Sequence, residues 1–223
     1  MNSMSSLENN KKAATHMILL FLLVQILSGI IPLFLPDTMD AIAFLIPSMV
    51  LFSLGAIGMF IIEKRRNMQF EFEQPFQSNK RPILTWGLTG VFIALIVQSF
   101  ASIIEVNFLG SPVESENTRL LVEVVRNYPL FILLIGIAGP IMEEFVFRKA
   151  LFGLMYAKLG GIGAAVISSL LFAFIHFDGL LLVYSSMGLV FAWLYFKTKN
   201  IWTPIIAHCL MNIVAVLANL YLV

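Results

Sequence analysis

The sequence predicts an all-α protein: a polytopic membrane helix bundle of about seven transmembrane helices with its N-terminus in the cytosol. Three observations predict it. The 223 residues are 59% hydrophobic and only 12% charged, with a mean hydropathy of +0.91, whereas soluble domains average about 45–50% apolar and about 25% charged residues. The apolar residues fall into runs of about 20, the length that crosses a hydrocarbon core about 30 Å thick. The Lys and Arg residues between the runs fall on one side when successive loops are assigned to alternate faces.

Each element has a local reason. A first span over residues 17–35 is closed by Pro36 and Asp37, and a second over 42–62 ends abruptly at Glu63-Lys64-Arg65-Arg66. The polar stretch 67–81, rich in Gln, Glu and Phe, reads as a loop or surface helix. A third span covers about 83–104. A mixed-charge connection over 105–127 follows, holding Gly110, Pro112 and an amphipathic helix from Glu116. The fourth span, about 128–156, ends before the turn Gly160-Gly161-Ile162-Gly163. A fifth covers about 164–177, Asp178-Gly179 breaks it, and a sixth runs to about Phe196. After Lys197–Asn200, Thr203-Pro204 opens the last span as an N-cap followed by proline at the first helical position. Residues 1–127 form the N-terminal spans and their loops and 128–223 a core, together one integrated membrane domain.

Orientation follows from short-loop charge. Lys11, Lys12, Lys64, Arg65, Arg66, Lys80, Arg81, Lys149, Lys158, Lys197 and Lys199 fall on one side. Asp37, Asp40, Glu105, Glu114, Glu116, Glu123 and Asp178 fall on the other, with only Arg119 and Arg126 against them. The polar stretch 1–12 precedes an apolar run longer than a signal-peptide core, so the first span reads as uncleaved. A net charge of +1 excludes nucleic acid as a partner, leaving the lipid bilayer and a membrane-associated protein or peptide. Cys209, the single cysteine, excludes an intrachain disulfide and a Cys-based zinc framework.

The fourth span carries an anomaly: Pro140-Ile-Met-Glu143-Glu144-Phe-Val-Phe-Arg148 lies between stretches of hydrocarbon side chains. A charge at a bilayer centre costs about 2.5–3.5 kcal/mol on insertion scales, so these groups need internal partners or a water-filled cavity. Glu144 and Arg148, four apart, share a helix face and suit an ion pair. Glu143 lies about 100° round and faces other neighbours. Pro140 cannot donate to the Gly136 carbonyl and tends to kink the helix, opening room beside the pair. His176 ends the run Phe172-Ala-Phe-Ile-His176. It lies about as far from the 159–160 turn as Glu143 does, so antiparallel helices bring the two to similar depth. His208 and Asn212 share a face of the last helix near its N-terminus, where donors suit a developing oxyanion. The same counting sets His208 nearer the cytosol than His176.

Blander readings stand beside these. The charged trio could mark a helix end at the interface, either histidine could be a packing residue, and Asn212 could join helices. Phe172 and Cys209 read as packing, and Glu105 and Glu123 as solvated loop charges. His16 sits at the cytosolic end of the first span without polar company. The carboxylates, two of three histidines and the Asn nevertheless all fall on three late spans.

These residues resemble a known family. Glu143-Glu144-Phe-Val-Phe-Arg148, Phe172-Ala-Phe-Ile-His176 and His208-Cys-Leu-Met-Asn212 match the EExxxR, FxxxH and HxxxN motifs of the CAAX protease and bacteriocin-processing (Abi) family of intramembrane proteases, over about residues 128–223. The resemblance implies peptide-bond hydrolysis in a polar cavity open to the cytosol of a bacterial plasma membrane. Glu143 and His176 would position and deprotonate water, His208 and Asn212 would stabilise the oxyanion, and Glu144 and Arg148 would hold the architecture. The substrate would be of CAAX, pheromone or bacteriocin type. Zinc on Glu143, His176 and His208 is the alternative to metal-independent activation, although the HExxH spacing of ordinary zinc proteases is missing. A non-catalytic scaffold or bacteriocin self-immunity protein on the same fold is the rival function. A proton-relay transporter is disfavoured because no inverted repeat or paired broken helices occur.

Overall fold

A computed structural model describes residues 3–36, 38–73, 81–112 and 115–221. Asp37, Lys80 and Glu114, assigned above to loops, lie outside these residues, as does 74–80 of the polar stretch. The described residues form helices joined by short turns, with no strand among them, and six helical runs are long and apolar enough to cross a membrane. The helices are α1 (Ser3–Ile30), α2 (Ala41–Arg66), α3 (Arg81–Leu109), α4 (Glu116–Asn127), α5 (Gly139–Glu144), α6 (Gly153–Phe174), α7 (Leu181–Thr198) and α8 (Trp202–Tyr221).

The longest run, Pro129–Phe174, is folded in two. Gly160 takes φ 66° and ψ −178°, a backbone conformation open to glycine and costly for residues with a Cβ. Phe147 and Phe172, thirteen residues before it and twelve after, have ring centroids 5.4 Å apart. A straight helix would separate them by about 37 Å. The expected hairpin is therefore present, and with it seven rods from six runs.

α1 and α2 pair with each other and pack against the chain around α5, while α3 packs on α7 and α8 from the far side. Between them the main core gathers Met142, Phe145, Phe152, Phe172 and Tyr195. Lys and Arg residues collect at one end. There Asn9 and Asn10 of α1 donate to the backbone carbonyls of Arg66 and Gln69, and Lys199 lies over the Phe196 ring.

α4 forms where expected, with Ser115 Oγ accepting from Thr118 N at 3.1 Å as its N-cap. Two expectations fail. Glu105 is no solvated loop charge: α3 runs past it to Leu109, and the side chain is 2% exposed. Its two oxygens accept from the N–H groups of Leu182 (3.1 Å) and Val183 (3.0 Å), capping the positive end of α7 from a neighbouring helix. Thr203 does not cap α8, because that helix already starts at Trp202. Asn200 Oδ1 takes the Trp202 N–H instead, at 2.9 Å.

Candidate active site

The carboxylate pair sits where the backbone changes register. Leu134–Ala138 and Phe145–Phe152 are π-helical and bracket α5, and such wider turns recur at functional sites. Proline gives a local reason for the first. In the π register the carbonyl of Ile135 looks to the N–H five residues on, at position 140, and Pro140 has none. Asn212 Nδ2 of α8 donates to that carbonyl at 3.1 Å. The proline thus frees an acceptor, and the amide on the last helix fills it.

The two glutamates divide as their spacing suggests. Glu144 and Arg148 are both 0% exposed, with Arg148 Nη1 donating to Glu144 Oε1 at 3.0 Å. Arg148 Nη2 donates to the Gly188 carbonyl at 3.1 Å. Glycine at 188 lets α7 come that close, since a Cβ there would meet Ser169 of α6 at 2.8 Å. Glu143, with a side chain 16% exposed, faces a cavity of about 540 Å³. His176, His208 and Asn212 line the same cavity. Glu144 and Arg148 stand behind its wall. Lys149 turns the other way and is buried between Glu73 (2.6 Å) and Glu63 (3.1 Å).

His208 joins both carboxylates. Its Nδ1 lies 2.8 Å from Glu144 Oε1 and its Nε2 3.6 Å from Glu143 Oε2. The first of these ties it to the residue that spacing had assigned to Arg148 alone. Phe191 stacks on the ring at 4.5 Å and 19°. The depth gap between the histidines is bridged by one side chain. The Phe172 ring lies 4.7 Å from His176 and 5.8 Å from His208.

His176 Nδ1 lies 2.8 Å from the Phe172 carbonyl. A carbonyl only accepts, so Nδ1 donates, which leaves Nε2 as the ring nitrogen open to another partner. The ring stacks on Tyr184 at 3.8 Å and 22°. Tyr184 donates to Asp178 Oδ2 at 2.7 Å, and Ser115 Oγ donates to the same oxygen at 2.7 Å. Tyr184 and Phe191 were not singled out in the sequence. Each is one more aromatic in an apolar span, and only their partners across the fold distinguish them.

A zinc ion would have to be held by Glu143 and by Nε2 of His176 and His208, since Nδ1 of each histidine is already engaged and Glu144 is taken by Arg148 and His208. Among the described residues no three His, Cys, Asp or Glu side chains stand close enough to hold a metal.

Among the described residues the expected opening toward the Lys/Arg-rich end is not found. That side is filled by Phe145, Phe152, Phe191, Leu194 and Tyr195, all fully buried. The cavity instead extends past Gln98 and Ser102 of α3 to Asn117 and Thr118 of α4, at the opposite end.

Comparison with known proteins agrees with this core. The family described as Rce1-like, type II CAAX prenyl endopeptidase, matches residues 125–214, which include all seven motif side chains. A Bacillus subtilis protein described as "Putative membrane peptidase YdiL" is 44% identical over 138 residues, 61% of this chain and 57% of that protein. The "Membrane-embedded CAAX protease MroQ" of Staphylococcus aureus is 32% identical over 210 residues, 87% of this chain and 85% of its own. The chain thus spans little more than half of the first relative and most of the second. No solved structure matches at a significant level. With Glu143, His176, His208 and Asn212 around one cavity and a relative aligned along most of both chains, the protein belongs to the Rce1-like family of membrane-embedded CAAX proteases.

Proposed function

We propose that the protein is an intramembrane endopeptidase of a bacterial plasma membrane that hydrolyses a peptide bond in a membrane-associated protein or peptide with water activated by Glu143 and His176. The observation that carries this reading is the convergence of Glu143, His176, His208 and Asn212 on one cavity.

Glu143 Oε and the free Nε2 of His176 orient a water molecule, and Glu143 takes its proton as the oxygen attacks the scissile carbonyl. The carbonyl π bond opens to an oxyanion. Protonated His208 donates to it from Nε2, with Glu143 and Glu144 flanking that charge. The second N–H of the Asn212 amide is the other donor, since the first is on Ile135. Collapse breaks the C–N bond, and the proton held by Glu143 passes to the leaving amine. Glu144 and Arg148 touch no substrate; they fix His208 and the turn that carries Glu143. No step runs through a metal.

The test is cleavage of a membrane peptide by the purified protein in lipid nanodiscs, followed by mass spectrometry. Glu143→Ala, His176→Ala and His208→Ala each abolish cleavage while the protein stays folded, and chelators leave the wild type active. Cleavage persisting in all three variants overturns the catalytic assignment and favours a scaffold on the same fold. Loss of wild-type activity on chelation, restored by zinc, overturns metal-independent activation.

A further inference from the structure

The direction in which the cavity opens constrains what can enter it. Lys11 and Lys12 at the start of α1, Lys64, Arg65 and Arg66 at the end of α2, Arg81 at the start of α3, Lys158 beside the Gly160 turn, and Lys197 and Lys199 between α7 and α8 mark one end of the bundle. Arg119 and Arg126, both on α4, face them from the other end. Such an imbalance in short loops places the rich end in the cytosol.

The cytosolic end is sealed. Phe72, from the stretch after α2, has its ring centroid 5.4 Å from Tyr195 and 5.5 Å from Phe152. Phe152 and Tyr195 are themselves 5.7 Å apart. Glu73 pins this layer, accepting from Tyr195 OH at 2.7 Å and from Lys149 Nζ at 2.6 Å. On the other side, among the described residues, the Tyr184–Asp178–Ser115 contacts stand at the cavity wall and no such aromatic layer crosses it. From Glu143 outward the cavity runs between Gln98, Ser102, Asn117, Thr118 and Asn219. These side chains are neutral donors and acceptors, partly exposed, and drawn from α3, α4 and α8. Facing one cavity, these amides and hydroxyls offer hydrogen bonds to water or a polar ligand.

The wall also carries a negative message. No Lys or Arg is among the described residues that line the cavity. A chain terminus with a free carboxylate would find no Lys or Arg partner there, and the His208 imidazole on the wall already faces Glu143 and Glu144. An internal extended segment, whose N–H and C=O groups alternate, would find a hydrogen-bonding group at each step.

We propose that the cavity receives an internal, extended peptide segment from the outer face of the membrane, so that the substrates are translocated or surface-anchored peptides rather than cytosolic C-termini. The statement rests on the proteolytic reading for the word substrate, but its access route can be measured without any cleavage.

The access test uses single cysteines in a Cys209→Ala background in intact bacterial cells, with a charged, membrane-impermeant methanethiosulfonate as the probe. Gln98→Cys and Asn219→Cys report the cavity, Ser102→Cys replaces either one that fails to accumulate, and Lys64→Cys and Lys158→Cys report the sealed end. The cavity cysteines are modified as fully in intact cells as in permeabilised ones, whereas the Lys64 and Lys158 positions react only after permeabilisation. Cavity cysteines that react only after permeabilisation, or in neither condition, overturn the proposal.

A second arm adds a soluble internal peptide, and the same sequence ending in a free carboxylate at the scissile position, to right-side-out and inside-out vesicles. Cleavage of the internal peptide in right-side-out vesicles alone is the expected result, and cleavage in inside-out vesicles alone overturns the route. Outside labelling with no cleavage in either orientation overturns the proteolytic reading and leaves the route standing.

Discussion

His208 Nδ1 stands 2.8 Å from Glu144 Oε1, the same oxygen that receives Arg148 Nη1 at 3.0 Å. One buried carboxylate oxygen therefore ties α8 to the π-helical turn after α5, and Arg148 carries the tie on to α7 through Gly188. The guanidinium also lies over the rings of Phe172 (4.6 Å) and Phe191 (5.4 Å), the aromatics that flank the two histidines. The geometry of the proposed catalytic face is held by Glu144 and Arg148, which do not line the cavity.

Removing that charge leaves Arg148 buried without a counter-ion. Breaking a buried pair by deleting one partner costs about 3–5 kcal/mol. Glu144→Gln keeps the shape and loses the charge, so it is expected to lower the unfolding midpoint in detergent and to lower kcat through a displaced His208. An unchanged midpoint, with activity intact, would remove Glu144 from its structural role.

The pair also predicts a rescue. Replacing both members of a buried ion pair by groups of similar volume is often neutral or stabilising, because neither desolvation cost remains. Glu144→Gln combined with Arg148→Met is expected to unfold at a higher temperature than either single variant, and the sign of the coupling is read from a double-mutant cycle. Activity is not expected to return, because His208 loses its carboxylate partner. Additive destabilisation would mean that the two side chains act independently despite the 3.0 Å contact.

Much of this site is legible in the sequence because charge in an apolar span is conspicuous. Glu143, Glu144, Arg148, His176, His208 and Asn212 stand out against hydrocarbon, and the i, i+4 spacing of Glu144 and Arg148 leads directly to their contact. The hairpin is legible from the glycines at 160–163. The π-helical turns are not: they arise from the whole packed environment of α5, and only Pro140 hints at one. The cavity's direction is illegible for a similar reason. It depends on which end the aromatics fill, and Phe145, Phe152 and Tyr195 read in sequence like any lipid-facing ring. Glu105 was misread because it lies beyond the apolar part of α3, where the pattern gives no reason to continue the helix.

Glu105 supplies a prediction that separates folding from chemistry. Its carboxylate accepts two N–H groups at the first turn of α7, an end that otherwise exposes unpaired donors. Hydrogen bonds to a charged group contribute about 1.5–3 kcal/mol. Glu105→Ala is expected to destabilise the protein on that order and to speed hydrogen exchange at Leu182 and Val183. Glu105→Gln, which keeps one acceptor, should fall between. Protected amides in the Ala variant would show that α7 starts without this cap.

Tyr184 tests whether His176 is held or merely present. The tyrosine acts twice: its ring stacks on the imidazole at 3.8 Å, and its hydroxyl reaches Asp178 at 2.7 Å. Tyr184→Phe keeps the stack and releases the latch, whereas Tyr184→Ala removes both. If the stack orients Nε2 toward the water, Tyr184→Phe retains most of its kcat, while Tyr184→Ala approaches the loss seen for His176→Ala with a smaller change in KM. Equal activity in both variants would mean that the Phe172 carbonyl alone sets the ring. A larger effect from Phe than from Ala would make the Asp178 hydrogen bond, not the stack, the feature that holds the site.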